Sequence, residues 1–385
     1  MNPRQRVMLA LNHKEPDRIP IDLGATIVSS ITKSSYISLK AHLGDSIEEI
    51  KMLDYVQQLP YLDDALMQRF GVDFRIVQLP PAVAHGVKIF EEGNYYAIID
   101  RWGSKLHMPK EGGYYFDWVD FPIKEFTQEA LDGYAWPRPD PKEYILQLRE
   151  QAKYLYEHTD YALVGSAIIG GGIFEQPARM IGMQNFLMAL VADPKFADRM
   201  MEQITDIYIE SCNNYLDEIG KYIQVFVYYD DVNTQNGWMI NPDTYRKMIK
   251  PKQRRLVDAI KKKTDAKLFF HGCGAAYDLI PDLIDLGFDI LNPVQVSARG
   301  MDTKRLKGTY GKDITFWGGG VDTQRVLPFG TPAEVVDEVK RRIDDLAPGG
   351  GFVFAAVHNI QAQVPPENIL ALFDTALDYG KYRND

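Results

Sequence analysis

From about residue 160 onward, short apolar runs alternate with longer segments of helical periodicity, and no other feature of the chain constrains the fold as strongly. Repeated strand and helix units of this kind are typical of α/β proteins with a parallel sheet. The apolar runs are rich in Val, Ile, Phe or Tyr, end near Gly, Asp or Asn, and cover residues 162–167, 224–229, 267–271, 288–291, 314–317 and 352–357.

Two earlier apolar runs, residues 18–23 and 73–79, each follow a helical segment and bring the number of predicted parallel strands to eight. Eight such strands, each followed by a helix, predict a (β/α)8 TIM barrel. Helical patterns are expected at residues 276–286, at 242–263 with Asn241 as the N-cap, and at 331–346, where Thr331-Pro332-Ala333-Glu334 forms a capping box.

Residues from about 85 to 122 follow a different pattern. Three apolar stretches, 87–90, 95–99 and 114–116, are joined by Gly-containing turns at 92–94 and 111–113. This pattern predicts an antiparallel β-meander inserted into the barrel. Since the sequence contains neither a repeat nor a low-complexity linker, we expect residues 1–385 to form a single barrel domain with this insertion.

The composition of the 385-residue chain excludes several classes of protein. Its net charge of −10, from 43 basic and 53 acidic residues, argues against a nucleic-acid partner. No window approaches the roughly 18 to 20 uncharged apolar residues of a membrane span, and no signal-peptide core is visible. We therefore expect a cytoplasmic protein. Its two cysteines, Cys212 and Cys273, give no disulfide framework.

Reactive groups of a (β/α)8 barrel lie at the carboxyl ends of its strands. His271-Gly272-Cys273 ends one predicted strand and places an imidazole and a thiol on the same face. Sulfur beside imidazole suits zinc, and His358 is the other histidine at a predicted strand end. A packed thiol with a hydrogen-bonded histidine is the alternative. A nucleophilic pair of Cys273 with His358 is another, although Cys273 lacks the basic neighbours that lower a thiol pKa.

Two adjacent carboxylates, Asp230 and Asp231, end the predicted strand before His271. They could ligate a metal, orient a ligating histidine, act as a general base, bind substrate or cap the following loop. The sequence leaves these roles open.

In this order, these elements resemble the uroporphyrinogen decarboxylase superfamily over nearly the whole chain. The resemblance implies a (β/α)8 barrel. It is carried by Arg4-Gln5-Arg6 with residues 16–20 (PDRIP), 175–179 (EQPAR), Asp230-Asp231, 271–274 (HGCG), 291–295 (LNPVQ), 317–322 (WGGGVD) and 358–369, which contains PPENI.

Two motifs of the decarboxylases themselves are absent. Members of that branch hold substrate carboxylates with arginines after the first strand and use an aspartate after the next strand. This chain has no arginine between Arg18 and Arg69 and no aspartate between Asp73 and Asp100. A substrate with several carboxylates would therefore find little to bind it.

The corrinoid-dependent methyltransferases of the superfamily are similar at the H-x-C element and bind zinc through it and a later cysteine. That cysteine lies ten residues before the Asn of the P-x-E-N-I segment, and here the position is His358. The resemblance thus implies a zinc site of His271, Cys273 and His358. Decarboxylases also have a histidine at this position, so His358 could bind substrate instead, with Asp230, Asp231 or Glu175 completing the site.

The resemblance implies a zinc-dependent methyltransferase that moves a methyl group between a small substrate, such as a methyl ether, and a corrinoid cobalt. Cobalamin would come on a separate corrinoid protein, because the chain has no D-x-H-x-x-G motif. Asp231 and Asp230 are the expected catalytic residues. Substrate contacts are expected from Glu175, Tyr229 and Trp317, where packing is the alternative role of the aromatic residues.

Two other functions compete with methyl transfer. One is a metal-free, decarboxylase-like lyase acting on a carboxylated substrate, and the other is a non-catalytic binding barrel. The sequence does not fix the oligomeric state, for which a homodimer is one expectation.

Overall fold

The computed structural model describes residues 1–46, 49–80, 87–168 and 170–382. The strands in these ranges are β1 Met52–Asp54, β2 Leu59–Pro60, β3 Phe74–Ile76, β4 Phe90–Glu92, β5 Tyr95–Ile99, β6 Lys105–Pro109, β7 Asp117–Asp120, β8 Ala162–Gly165, β9 Val225–Tyr229, β10 Asn233–Thr234, β11 Gly237–Trp238, β12 Lys267–His271, β13 Ile290–Asn292, β14 Thr315–Trp317 and β15 Phe352–Val353.

The α-helices of the described ranges cover Pro3–Leu11, Lys33–Leu43, Asp64–Arg69, Gln128–Gly133, Lys142–His158, Glu175–Ile181, Met183–Ala192, Pro194–Ile219, Pro242–Thr244, Lys250–Lys261, Ile280–Leu286, Thr303–Tyr310, Val326–Phe329, Pro332–Leu346 and Pro366–Tyr379. None of them is both long and apolar enough to cross a membrane.

Seven parallel strands form one curled sheet in the order β3-β8-β9-β12-β13-β14-β15, so each strand lies beside its successor in the chain. This arrangement confirms the predicted barrel-type α/β fold. The predicted first strand, residues 18–23, lies between the two edge strands. Asp22 N donates to Phe354 O at 2.8 Å, and Asp73 N donates to Ile21 O at 2.9 Å. The segment forms isolated bridges, Ile21 to Phe354 in parallel and Arg18 to Lys381 in antiparallel orientation, and Pro20 has no N–H to extend the parallel ladder.

The amino-terminal end of the barrel is closed by the first helix. Val7 and Leu11 of this helix pack with the inward-facing side chains of the parallel strands, and both are buried. Arg6 of the same helix donates from Nη1 to Asp73 Oδ1 at 2.6 Å. Arg18, which follows the helix, donates from Nη1 to Asp73 Oδ2 at 2.8 Å. Asp73 immediately precedes β3, so it connects both the first helix and residues 18–23 to that strand.

An antiparallel sheet of β4, β5, β6 and β7 occupies the position of the predicted meander. The predicted strand at 114–116 is wrong, since β6 and β7 flank that stretch. Phe116 is buried, and its N–H donates to Val56 O at 2.9 Å, outside the sheet. Residues 81–86, where the insertion was expected to begin, lie outside the described residues.

The predicted helices differ in how continuous they are. Thr331 and Glu334 form the predicted capping box, and that helix covers Pro332–Leu346. The predicted helix at 242–263 is instead interrupted by a π-helical turn, Tyr245–Ile249. This turn points Tyr245 inward, where its hydroxyl donates to Gln253 Oε1 at 2.7 Å. The helix predicted at 276–286 begins only at Ile280.

Candidate functional site

Three potential metal ligands meet at the carboxyl end of the barrel. His271 is the last residue of β12, Cys273 follows it, and His358 lies in the loop after β15. One ligand atom from each residue can be chosen so that all three lie within 4.8 Å of one another. The two imidazole rings are 5.2 Å apart between centroids and inclined at 61°. The folded chain thus brings the three predicted zinc ligands together.

A hydrogen-bond chain sets the orientation and tautomer of His271. Asn292 Nδ2 donates to the carbonyl oxygen of Trp317 at 3.0 Å, which fixes the Asn292 amide so that Oδ1 faces His271 Nδ1 at 2.6 Å. Since Oδ1 can only accept, Nδ1 carries the proton and Nε2 has a free lone pair. That Nε2 atom lies 3.6 Å from Cys273 Sγ. Burial lowers the pKa of His271 to about 4, so its imidazole is neutral at pH 7.

The glycines around Cys273 allow its loop to pass close to neighbouring backbone. A Cβ at Gly272 would lie 2.6 Å from the Phe270 ring. Gly274 has a φ of +99°, and a Cβ there would lie 2.5 Å from the Thr234 carbonyl oxygen. Cys273 N donates to Asp231 Oδ1 at 2.7 Å. Burial, with the nearby Asp231 and Glu175 charges, raises the pKa of the Cys273 thiol well above its usual range.

His358 is held differently from His271. Its backbone has a φ of 66°, a conformation that non-glycine residues rarely adopt. Its Nδ1 atom accepts a hydrogen bond from Asn359 N at 2.8 Å, which places the proton of the neutral ring on Nε2. Burial and the neighbouring His271 lower the pKa of His358 to about 3. Metal ligation by His358 therefore requires loss of this hydrogen bond at either nitrogen. At Nδ1 the metal replaces the Asn359 N–H, and at Nε2 the ring proton must first move to Nδ1.

Asp230 is fully buried and surrounded by donors. Its carboxylate accepts from the N–H groups of Phe174 and Glu175, the Tyr228 hydroxyl at 2.7 Å and Gln253 Nε2 at 3.0 Å. Burial, assisted by the Glu175 charge, raises the pKa of Asp230 to about 7. This placement makes Asp230 a positioning residue that fixes the loop carrying Glu175, since its oxygens are used by the protein itself.

Asp231 is partly exposed and lies closer to the three ligands. Its Oδ1 atom is 4.0 Å from His271 Nε2, and burial followed by the Glu175 charge raises its pKa above the usual range. Glu175 pairs with Arg179 at 3.0 Å, and the Arg179 guanidinium lies 4.5 Å from the ring centroid of Trp118 in β7. The inserted sheet is therefore in contact with the charged groups of the site.

The two predicted aromatic contacts differ in position. Tyr229 ends β9 with its ring 6.0 Å from that of His271, at the edge of the site. Trp317 is fully buried in the barrel interior, where its Nε1 atom donates to Asp22 Oδ2 at 2.8 Å. Trp317 packs at 5.1 Å against Phe269. A substrate contact for Trp317 does not fit this placement, because the side chain faces inward and has no exposed surface.

A cavity of about 350 Å³ adjoins Cys273 and His358. Its other lining residues are Asn233, Thr234, Gln235, Gly274, Pro293, Gln295, Thr323, Gln324 and Val357. Sequence reasoning assigned no role to these residues or to Asn292. The position of Asn292 could have been found from strand order, since consecutive parallel strands place it beside His271.

The uroporphyrinogen decarboxylase (URO-D) family model matches residues 97–379. The chain is 26% identical over 190 residues to a uroporphyrinogen decarboxylase of Geobacter sp. (strain M21), covering 48% of this chain and 50% of that protein. It is 25% identical over 179 residues to the Staphylococcus aureus (strain JH9) enzyme, covering 44% and 45%. The chain thus matches about half the length of these curated relatives.

A methyltransferase from Methanosarcina mazei has a similar structure, with a TM-score of 0.64 and 15% identity over 98% of this chain and 99% of that one. This likeness supports the barrel fold. Because the family model spans most of the chain, the protein belongs to the uroporphyrinogen decarboxylase family.

Proposed function

We propose that this protein is a zinc-dependent methyltransferase that moves a methyl group between a small substrate and the cobalt of a corrinoid protein. The observation that carries the proposal is the convergence of His271, Cys273 and His358, with ligand atoms within 4.8 Å of one another. The name of the Methanosarcina mazei structural neighbour, a methyltransferase, agrees with it.

The donor set fits zinc in chemistry and in number. Two imidazoles and one thiol are ligands that zinc prefers, and three protein ligands leave one position for a substrate atom. His271 offers an unprotonated Nε2 atom held in place by Asn292. His358 would bind zinc through Nδ1, where the metal would replace the hydrogen bond from Asn359 N. Cys273 must lose its proton when the metal binds.

When bound, zinc supplies Lewis-acid chemistry that polarises the oxygen of a methyl ether donor. The methyl group would pass from that oxygen to the reduced, cob(I) centre of the corrinoid partner, which would supply the electron pair of the new bond, and the oxygen would take up a proton. Asp231 is the side chain placed to provide it, since it is partly exposed, adjoins Cys273 and has a raised pKa. Asp230 holds the Glu175 loop in place. We thus propose zinc as the metal, a methyl ether as the donor in a reaction of the O-demethylase type, and a corrinoid protein as the partner.

The curated relatives carry the name of a decarboxylase, whose substrate is rich in carboxylates. In the described part of this chain, no lysine or arginine lines the cavity beside Cys273 and His358. A polyanionic substrate would find no counter-charge there. The cavity lining therefore favours methyl transfer over decarboxylation.

Zinc content of the purified protein, measured by elemental analysis, tests the proposal. We expect about one zinc per chain in the wild type and loss of zinc in both Cys273→Ala and His358→Ala. Cys212→Ala is the matched control, since Cys212 is a buried cysteine in the helix Pro194–Ile219 and should leave the zinc content unchanged. Zinc retained in His358→Ala would mean that a carboxylate, and not His358, is the third zinc ligand. Protein purified without chelator that contains no zinc would overturn the proposal.

Methyl transfer is then assayed directly with reduced cobalamin and a methyl ether. Cys273→Ala should abolish the transfer, whereas Cys212→Ala should retain it. Transfer at the wild-type rate by Cys273→Ala would show that the site acts without the proposed zinc ligand.

A further inference from the structure

Two side chains hold the backbone of the loop that carries Cys273. Cys273 N donates to Asp231 Oδ1 at 2.7 Å, and Gly274 N donates to Gln295 Oε1 at 2.7 Å. Asp231 follows β9 and Gln295 follows β13, the two strands on either side of β12. The loop after β12 is therefore fixed from both neighbouring strands, and on the β13 side the fixing group is the Gln295 amide.

The segment that contains Gln295 also positions one of the proposed zinc ligands. Asn292 ends β13, and its Oδ1 atom lies 2.6 Å from His271 Nδ1. Gln295 lies three residues further along the chain and is buried. Residues 292–295 thus contact His271 through one end and Gly274 through the other. A single strand end supports both the imidazole of one ligand and the loop of the next.

The backbone just before Gln295 has a rare conformation. Val294 is buried and has a φ of 55°, which β-branched residues seldom adopt. Two glycines of the loop after β14 leave room for it. A Cβ at Gly318 would clash with the carbonyl oxygen of Pro293, and a Cβ at Gly319 would lie 3.0 Å from Val294 Cγ1. Strain of this kind persists only where the surrounding structure fixes it, so the packed backbone sets the point from which the Gln295 side chain extends.

Loss of the Gln295 acceptor would free the loop where its backbone is most permissive. Gly274 has a φ of +99°, and a glycine that is not held by its neighbours adopts many conformations. The adjoining thiol of Cys273 lies 3.6 Å from His271 Nε2, and this distance depends on the course of the loop. A metal site binds most tightly when its ligands are held in place before the metal arrives.

We infer that Gln295 is a positioning residue of the zinc site. By accepting the hydrogen bond from Gly274 N, it holds the Cys273 thiol where it can join the two histidines. The inference rests on the proposed function, because it takes these three side chains as the zinc ligands. Gln295 acts through the loop and does not itself bind the metal. The oxygen acceptor of its side chain, rather than the bulk of that side chain, is the feature that matters.

Competition with a chelator of known zinc affinity tests this role. Gln295→Met removes the acceptor at nearly constant side-chain length, so zinc affinity should fall by about 3- to 10-fold. Gln295→Glu keeps an oxygen acceptor and its charge attracts a cation, so zinc affinity should equal or exceed that of the wild type. Equal losses in the two variants would overturn the inference. If Gln295→Met does not fold, Gln295→Leu provides the same comparison.

Gln224→Met is the matched control. Gln224 Oε1 accepts from Leu163 N at 2.8 Å, which is a hydrogen bond of the same kind at the amino-terminal end of the sheet. Both Gln→Met variants should lower the Tm, but only Gln295→Met should weaken zinc binding. A matching loss of zinc affinity in Gln224→Met would show that binding follows overall stability, and it would overturn the inference.

Hydrogen exchange at the Gly274 amide, measured on the zinc-free protein, reports on the contact without the metal. Exchange should be faster in Gln295→Met than in the wild type, and close to the wild-type rate in Gln295→Glu. Unchanged exchange in Gln295→Met would overturn the inference. Absence of zinc from the wild type would overturn the proposed function as well, whereas equal zinc affinity of the wild type and Gln295→Met would overturn this inference alone.

Discussion

Buried polar groups at the two ends of the barrel differ in their partners. At the amino-terminal end, Asp73 is fully buried between the guanidinium groups of Arg6 and Arg18, with N–O distances of 2.6 and 2.8 Å. At the carboxyl end, His271 and His358 face each other, and the thiol of Cys273 lies within 3.6 Å of an imidazole nitrogen. One end uses its polar groups to hold the chain together, and the other leaves donor atoms available to a ligand.

At the carboxyl end, which forms the mouth of the barrel, burial shifts the pKa values of three polar side chains. Burial raises the pKa of Asp230 to about 7 and lowers the pKa of His271 to about 4 and that of His358 to about 3. Each shift favours the neutral form, as expected where burial is not offset by a nearby opposite charge. Strained backbone at His358, with its φ of 66°, lies at this same end. The mouth is therefore arranged for binding at some expense to stability.

Asp73→Ala should have the largest effect, on folding rather than on metal binding. It would leave Arg18 without its buried counter-charge and Arg6 with only the partly exposed Asp17, so the free energy of unfolding should fall by about 3–5 kcal/mol. Denaturant unfolding measures this loss. Asp374→Ala is the control, because it breaks the exposed Arg69 pair and should cost under about 1 kcal/mol. Equal losses in the two variants, or a folded Asp73→Ala protein that lacks zinc, would contradict the division between the two ends.

Asn292 links the barrel interior to the mouth, and its replacement should have the next largest effect. Asn292→Leu removes the acceptor that keeps the proton of His271 on Nδ1, so zinc affinity should fall by about 10- to 100-fold. Asn292→Asp retains an acceptor at this position and should keep most of the affinity. Competition with a chelator of known affinity measures both variants. Equal losses in the two would mean that Asn292 acts through packing rather than through the His271 tautomer.

The sequence was sufficient for the features that depend on local pattern and chain order. Alternating strands and helices indicated the barrel, and barrel geometry then placed His271, Cys273 and His358 at one end. The prediction failed where tertiary contacts override local preference. Phe116 lies in an apolar stretch typical of a strand, yet it is buried against residues of the 55–56 loop and leaves the sheet.

The roles of individual side chains depended on three-dimensional partners that no local pattern encodes. Asp230 and Asp231 are neighbours in sequence, but Asp230 is enclosed by donors whereas Asp231 reaches the site. Trp317 follows the strand alternation inward, and only its distant partner Asp22 shows where its indole N–H points. The tautomer of His271 likewise depends on Asn292, which belongs to the next strand.

The smallest predicted change is that of zinc affinity over one pH unit, which tests the claim that both histidines are neutral. Protons compete with zinc only at ligands that hold a proton before binding, so affinity should rise with pH. The raised pKa of the Cys273 thiol keeps it protonated at neutral pH, whereas the pKa values of His271 and His358 are lowered to about 4 and about 3.

Between about pH 5 and 8, one thiol proton should therefore be released per zinc, and affinity should rise about tenfold per pH unit. Calorimetry in buffers of different ionisation enthalpy counts the protons, and chelator competition gives the slope. If either histidine had an ordinary pKa near 6.5, the slope would steepen below that pH because an imidazolium would also have to lose its proton. A constant slope across the range thus supports burial without a counter-charge at both imidazoles. A steepening slope would show that zinc displaces a second proton, either from a histidine or from Asp231, whose pKa is also raised.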